Sequence, residues 1–115
     1  MSRARQRLGA SGEDAAARFY RRHGYEVVAR NWRVKEGELD LICRRDGEIV
    51  FVEVKTRSSS RFGTGAEAVT PHKQRRLRHL AVLWLRQSGV RSRRLRFDVI
   101  DIDGRGTITP YKNAF

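Results

Sequence analysis

The dipeptide Asp46-Gly47, placed between two apolar segments, constrains the fold of this 115-residue chain more than any other feature. Asp-Gly is the typical loop of a type I′ β-hairpin, so residues 38–45 and 48–55 are predicted to be antiparallel strands. A sheet whose strands are apolar on both faces needs a covering layer on each side, which predicts an α/β/α sandwich. The apolar side chains are Leu41, Cys43, Val50, Val52 and Val54 on one face, and Ile42, Ile49 and Phe51 on the other.

The other segments supply the covering helices and further strands. A first helix is predicted from the N-cap residue Ser11 to Gly24, and a second from Thr70 to Gly89, with a buried stripe that includes Trp84. The order is helix, three strands, helix, strand, and the second helix crosses over between parallel strands, so the sheet is mixed. We expect one domain over residues 11–115, preceded by a flexible basic arm at residues 1–10. The further strands are predicted at residues 25–32, 95–102 and 107–111.

Charge and composition narrow the class of protein. The chain has 25 Lys and Arg against 13 Asp and Glu, a net charge of +12, which favours a polyanionic partner and nucleic acid first. No apolar segment approaches the roughly 20 residues of a membrane-spanning helix, and no secretory signal is recognised. The single cysteine, Cys43, excludes an internal disulfide and a cysteine-cluster zinc site. We therefore expect a cytoplasmic protein without a membrane partner.

The hairpin register places charged residues opposite one another. Counting back from the loop, Asp40 faces Glu53 and Glu38 faces Lys55. Two carboxylates on directly facing residues of neighbouring strands repel one another unless a proton or a cation lies between them. Carboxylate oxygens are suitable ligands for Mg²⁺ or Mn²⁺. Lys55 projects to the same face as Glu53, and a metal beside a lysine suits phosphodiester hydrolysis.

Structural interpretations remain open for the same residues. Glu38 and Lys55 could form a simple cross-strand ion pair, with Asp40 at a solvent-exposed strand edge. Glu13 could complement the dipole of the first helix rather than join the site. Lys73 lies on the apolar stripe of the second helix, where it either extends toward solvent or points over the sheet toward Glu53 and a bound phosphate.

These residues resemble a known signature. Asp40 followed by Glu53-Val54-Lys55 on the next strand is similar to the PD-(D/E)xK motif of restriction-endonuclease-like nucleases, with Leu39 in place of the motif's proline. Further segments carry a closer likeness: Gly12-Glu13, Gly37-Glu38-Leu39-Asp40-Leu41-Ile42, Val50-Phe51-Val52-Glu53-Val54-Lys55-Thr56-Arg57 and Arg96-Phe97-Asp98-Val99. By these segments, the chain from about residue 9 to residue 111 resembles the YraN family of small bacterial proteins.

The resemblance implies a restriction-endonuclease-like fold and, by analogy, nuclease activity. Carried over to this chain, Asp40 and Glu53 are metal ligands, Val54 contributes its backbone carbonyl, and Lys55 is the catalytic lysine. Glu13 matches the acidic residue that many such nucleases place beside the metal. The implied cofactor is Mg²⁺ or Mn²⁺.

The expected function is a metal-dependent DNA endonuclease that selects DNA shape, such as branched ends, over sequence. The fold leaves no base-reading module, so basic side chains are expected to contact phosphates only. The alternative is a non-catalytic nucleic-acid-binding module or a ribosome-associated basic protein on the same fold, and a homodimer is left open. The candidate nucleic-acid contacts are Arg3, Arg5 and Arg7 in the arm, Arg57 and Arg61 after the Lys55 strand, and Lys73.

Overall fold

A computed structural model describes residues 3–57 and 69–115, with the side chains of the first range described from Ser11 onward. The strands form one mixed sheet in the order β1-β2-β3-β4-β5, in which only β3 and β4 run parallel. The elements in chain order are α1 (Arg3–Arg22), β1 (Glu26–Val34), β2 (Gly37–Arg45), β3 (Glu48–Thr56), α2 (Pro71–Ser88), β4 (Arg94–Ile102) and β5 (Ile108–Tyr111).

One helix covers each face of the sheet, as the two-sided apolar pattern predicts. Tyr20 and two alanines of α1 pack on Leu41, Cys43 and Val50. On the opposite face, Leu80, Ala81 and Trp84 of α2 pack on Ile42, Ile49 and Phe51. This arrangement confirms the α/β/α class and the restriction-endonuclease-like core. Within the described ranges, no helix is long and apolar enough to cross a membrane.

The β2–β3 hairpin has the predicted turn and register. Asp46 and Gly47 both have positive φ, 51° and 78°, as a type I′ loop requires. Paired residues run without a slip from Arg45↔Glu48 to Leu41↔Val52. Each predicted strand is found within two residues of its expected bounds.

Helix α2 has the predicted caps. The Thr70 side chain accepts a hydrogen bond from the Lys73 backbone N–H, and Pro71 occupies the first turn. Gly89 ends the helix in the left-handed conformation, with φ 73°. Because α2 connects parallel strands, it starts beside the end of β3 and finishes beside the start of β4.

Helix α1 begins earlier than predicted. It starts at Arg3, so the helix includes residues 3–10, which the sequence assigned to a flexible basic arm. Arg, Ala, Gln and Leu are good helix formers, and no proline interrupts them, so the helix continues through the predicted cap at Ser11. The predicted contacts of Arg61 lie outside the described residues, as do the side chains of Arg3, Arg5 and Arg7.

Candidate functional site

The sheet opens where β2 and β3 separate. Their ladder ends at Leu41↔Val52, and Asp40 is the first β2 residue beyond it. The Val54 N–H, which would extend the ladder, instead donates to Asp40 Oδ2 at 2.9 Å. The Asp40 carboxylate therefore lies between the strands, near Glu53 but not in a regular cross-strand pair with it as the register predicted.

Strand β1 is irregular at the same level. Asn31 lies between the two β1 residues that pair on either side of Asp40, and its φ is +52°. Leu39 packs in the α2 core and Leu41 in the α1 core, although strict alternation would put them on one face. A local kink thus redirects the chain at Asp40, although the register of β1 with β2 is unchanged there and shifts instead between Val27 and Ala29.

Three carboxylates converge at this opening. One oxygen each of Glu13, Glu38 and Asp40 lies within 4.8 Å of the other two. The sequence left two roles open for Glu13, one at the helix dipole and one in the site. Its distance to the other two carboxylates places Glu13 in the cluster. From the sequence, Glu38 was considered only as an ion-pair partner of Lys55. Its position two residues before Asp40 on the same strand was the signal that could have placed it in the cluster.

Gly12 allows α1 to place Glu13 beside the opening. A Cβ atom at Gly12 would lie 2.1 Å from Thr56 Oγ1 at the end of β3, closer than any real contact. Only glycine permits this approach of helix to strand. The next residue along α1 is Glu13, so the close approach brings its carboxylate to the site.

The cluster is electrostatically unfavourable without a cation. Burial, followed by the charges of Glu53, Glu13 and Glu38, raises the pKa of Asp40 to about 7, although the Val54 hydrogen bond opposes the shift. Glu38 Oε2 is 3.0 Å from Arg33 Nε at the exposed side of the cluster.

Lys55 does not pair with Glu38, the structural alternative that the sequence left open. Its Nζ lies 3.3 Å from Oε1 of Glu53, two residues earlier on the same strand. Glu38 pairs with Arg33 instead, so the cross-strand Glu38–Lys55 ion pair does not form. The kink at Asp40 explains the difference, because β2 no longer follows β3 in register at Glu38.

A cleft of about 340 Å³ joins these residues to α2. Glu38, Asp40, Glu53 and Lys55 line one side, and α2 contributes Lys73 and Arg76 together with Leu77 and Leu80. Lys73 thus takes the orientation over the sheet rather than pointing away from it. Sequence reasoning missed Arg76, whose signal was its position three residues after Lys73 on the same helix.

Arg57 is not among the residues that line the cleft. Its guanidinium donates to both carboxylate oxygens of Asp101, at 2.9 and 2.6 Å, and so ties the end of β3 to β4. Asp101 is buried, which makes this bidentate pair part of the sheet's structure. The geometry therefore does not favour the phosphate contact predicted for Arg57.

The donor set fits a hard divalent cation. All candidate ligands are oxygens: the carboxylates of Asp40, Glu13, Glu38 and Glu53, with the Val54 carbonyl as a further donor. In an antiparallel ladder, the N–H and C=O of a hydrogen-bonded residue point to the same neighbour. The Val54 N–H points at Asp40, so its carbonyl is directed into the same opening.

The fold and the site define a restriction-endonuclease-like α/β protein with an acidic opening in its sheet. The chain belongs to the family described as "Uncharacterised protein family UPF0102", the YraN family, whose model matches residues 12–102. A UPF0102 protein of Nocardia farcinica is 54% identical over 98 residues, covering 85% of this chain and 77% of the relative. A UPF0102 protein of Symbiobacterium thermophilum is 48% identical over 114 residues, covering 96% and 97%.

Proposed function

We propose that this protein is a divalent-metal-dependent DNA endonuclease. The observation that carries the proposal is the set of carboxylates gathered at the β2–β3 opening beside Lys55, in a cleft whose other wall is basic. A fold gains no stability from carboxylates held together with a raised pKa at one of them. Such arrangements are characteristic of sites that bind a cation or perform chemistry.

The residues divide into ligands and phosphate contacts. Asp40, Glu13, Glu38 and Glu53 would hold Mg²⁺ or Mn²⁺, which when bound supplies an activated water and polarises a phosphoryl oxygen. Lys55 stabilises the negative charge that develops on the phosphate during attack. Lys73 and Arg76 approach from α2 and hold the phosphodiester against the carboxylate wall.

The two walls suit a phosphodiester better than a neutral substrate. No ion pair joins Lys73 or Arg76 to a carboxylate among the side chains that the structure describes. Their charge is therefore available for an anionic ligand, while the acidic wall needs a cation. A phosphodiester with a divalent metal supplies both.

The test is cleavage of end-labelled branched, flapped and duplex DNA with Mn²⁺ or with a chelator. We expect cleavage by the natural protein only with metal, and a loss of at least about a hundredfold in Asp40→Asn. Glu36→Gln is the matched control, because Glu36 is an exposed carboxylate in the turn before β2 and does not line the cleft.

Two results would contradict the proposal. One is cleavage that survives both the chelator and Asp40→Asn, which would indicate a contaminating nuclease. The other is metal-independent DNA binding with no cleavage of any substrate, which would support the alternative of a non-catalytic binding module.

A further inference from the structure

The segment from α2 into β4 is strongly basic. Residues 71–97 contain nine Lys and Arg and no Asp or Glu. Arg75 and Arg86 fall within about 40° of each other on the outer face of α2, opposite Leu80 and Trp84, which are buried in the core. Both arginines are exposed and have no ion-pair partner among the described side chains.

A second cavity lies at the far end of this helix. It has a volume of about 550 Å³ and is lined by Asp46, Gly47 and residues 91–94, Arg-Ser-Arg-Arg. Ser92 Oγ donates to Gly47 O at 2.6 Å, and the Arg94 guanidinium donates to Asp46 O, so the loop before β4 is fixed to the hairpin turn. Arg91 and Arg93 are exposed beside these anchors.

The two cavities lie toward opposite ends of α2. The first is lined by α2 residues from Lys73 to Leu80, and the second follows the helix end at Ser88. From Lys73 to Ser88 the helix rises by about 22 Å, which corresponds to about 6 to 7 base pairs of B-form DNA. The outer face of α2 that connects them carries no Phe, Tyr or Trp, so it lacks the stacking groups typical of single-strand binding.

We propose that the outer face of α2 and the loop after it, the α2 basic track of Arg75, Arg86, Arg91 and Arg93, bind the phosphate backbone of double-stranded DNA. The cavity at residues 91–94 is its distal phosphate site, and its proximal end, at Arg75, adjoins Arg76 of the cleft. The inference takes DNA as the ligand from the proposed function, but it concerns binding and does not depend on cleavage.

The test is fluorescence anisotropy with labelled duplexes of about 6 and about 14 base pairs, in chelator and at several salt concentrations. Arg91→Ala/Arg93→Ala should weaken binding of the longer duplex roughly tenfold and make the log–log salt slope shallower by about 1.8. The shorter duplex does not span both cavities, so its affinity for the cleft end should change less than about twofold. Arg91→Lys/Arg93→Lys should retain most of the affinity, because the phosphate contacts need charge.

The matched control is Arg21→Ala/Arg22→Ala. It removes the same charge from exposed positions in the last turn of α1, on the opposite face of the sheet. An equal loss of affinity in the control, or no loss in Arg91→Ala/Arg93→Ala, would overturn the basic track as a binding surface.

The outcomes separate this inference from the proposed function. A basic track that binds duplexes without metal-dependent cleavage would contradict only the nuclease proposal. Metal-dependent cleavage with duplex binding unaffected by Arg91→Ala/Arg93→Ala would contradict only the track. Absence of duplex binding by the natural protein at low salt would contradict both.

Discussion

Asp40 combines partial burial, a single backbone hydrogen bond and several carboxylate neighbours, which together raise its pKa to about 7. The unfolded chain releases this proton near pH 3.9, so between about pH 4 and pH 7 the folded state binds more protons than the unfolded state. The Asp40 contribution to stability is therefore fully present below about pH 4 and is lost as pH rises through about 7. A divalent cation bound at the proposed site would replace the proton and remove this loss.

The pH dependence of unfolding of the metal-free protein tests whether Asp40 is protonated in the folded state. From pH 5 to pH 7.5, the free energy of unfolding should fall by roughly 2–3 kcal/mol more for the natural protein than for Asp40→Asn. Urea unfolding in chelator at the two pH values measures the difference. Parallel pH profiles for the two proteins would mean that Asp40 is ionised in the metal-free fold.

Glu53→Gln tests whether the charge of Glu53 is needed for metal binding or for the stability of the fold. The substitution keeps the side-chain volume, removes a charge that repels Asp40 and gives up one partly exposed ion pair to Lys55. We expect loss of metal-dependent cleavage, with a metal-free free energy of unfolding within about 1 kcal/mol of the natural protein. A thermal melt that shows a large destabilisation would assign Glu53 a structural role.

Lys55→Ala tests whether Lys55 acts in metal binding or in the cleavage step. In the proposed mechanism Lys55 stabilises developing charge and does not coordinate the metal, so Mn²⁺ affinity should stay within about threefold while cleavage falls by about a hundredfold or more. Lys35→Ala, in the exposed turn between β1 and β2, is the control for lost charge. Equal loss of metal affinity and cleavage would show that Lys55 acts by orienting Glu53.

At the scale of elements, the site depends on how closely α1 approaches β3. Gly12→Ala adds a methyl group that meets Thr56 Oγ1, although alanine alone would favour the helix by about 1 kcal/mol. We expect a net destabilisation of about 1–3 kcal/mol and weaker Mn²⁺ binding, because Glu13 moves with the helix. Thermal melts and calorimetry measure the two effects.

The double variant Gly12→Ala/Thr56→Ala is the sharper part of that experiment. It removes the hydroxyl that the new methyl group meets and leaves Thr56 Cβ, which lies 3.3 Å from the added carbon. Stability and Mn²⁺ affinity should both recover in large part. Failure to recover would mean that Gly12 is needed for backbone conformation and not for close packing.

The sequence predicted the elements whose determinants are local. Asp46-Gly47 specifies its own turn, and that turn sets the register from Arg45 to Leu41. The kink at Asp40 was not predictable in the same way, because it involves Asn31 on a neighbouring strand and the splitting of β2 from β3. The triad of Glu13, Glu38 and Asp40 depends on that kink, so the sequence suggested the site but not its full set of ligands.

The buried polar network around Asp98 was not predictable from the sequence either. Asp98 accepts from the Tyr20 hydroxyl at 2.6 Å, from both Arg96 Nε and Nη2, and from the Asn113 backbone N–H. These partners come from α1, β4 and the segment after β5, so their convergence follows from the tertiary fold. With its hydrogen bonds satisfied, the buried carboxylate joins α1 to the sheet on the face opposite the cleft.

At the scale of the whole molecule, an acidic and a basic concentration of charge adjoin one another. Four carboxylates lie at one end of the β2–β3 pair, and the segment that follows the cleft, residues 71–97, carries nine Lys and Arg and no Asp or Glu. None of the described elements forms a base-reading module, and phosphate contacts position DNA without reporting its sequence. If the proposed function holds, the protein recognises DNA by its shape.

Selectivity can be measured directly. Affinities for scrambled sequences in one branched geometry should agree within about threefold, while one sequence in several geometries should span tenfold or more. Duplex, flapped and four-way substrates with the same total length provide the comparison. Affinity that follows sequence and ignores geometry would require a base-reading surface that the described residues do not offer.

The central claim is that the opening between β2 and β3 binds a divalent cation. Isothermal titration of the metal-free protein with Mn²⁺ tests it most directly, with Asp40→Ala and Glu36→Gln titrated under the same conditions. We expect saturable binding in the natural protein and in Glu36→Gln, and its loss in Asp40→Ala. No binding by the natural protein at millimolar Mn²⁺, or binding that Asp40→Ala leaves unchanged, would contradict the claim.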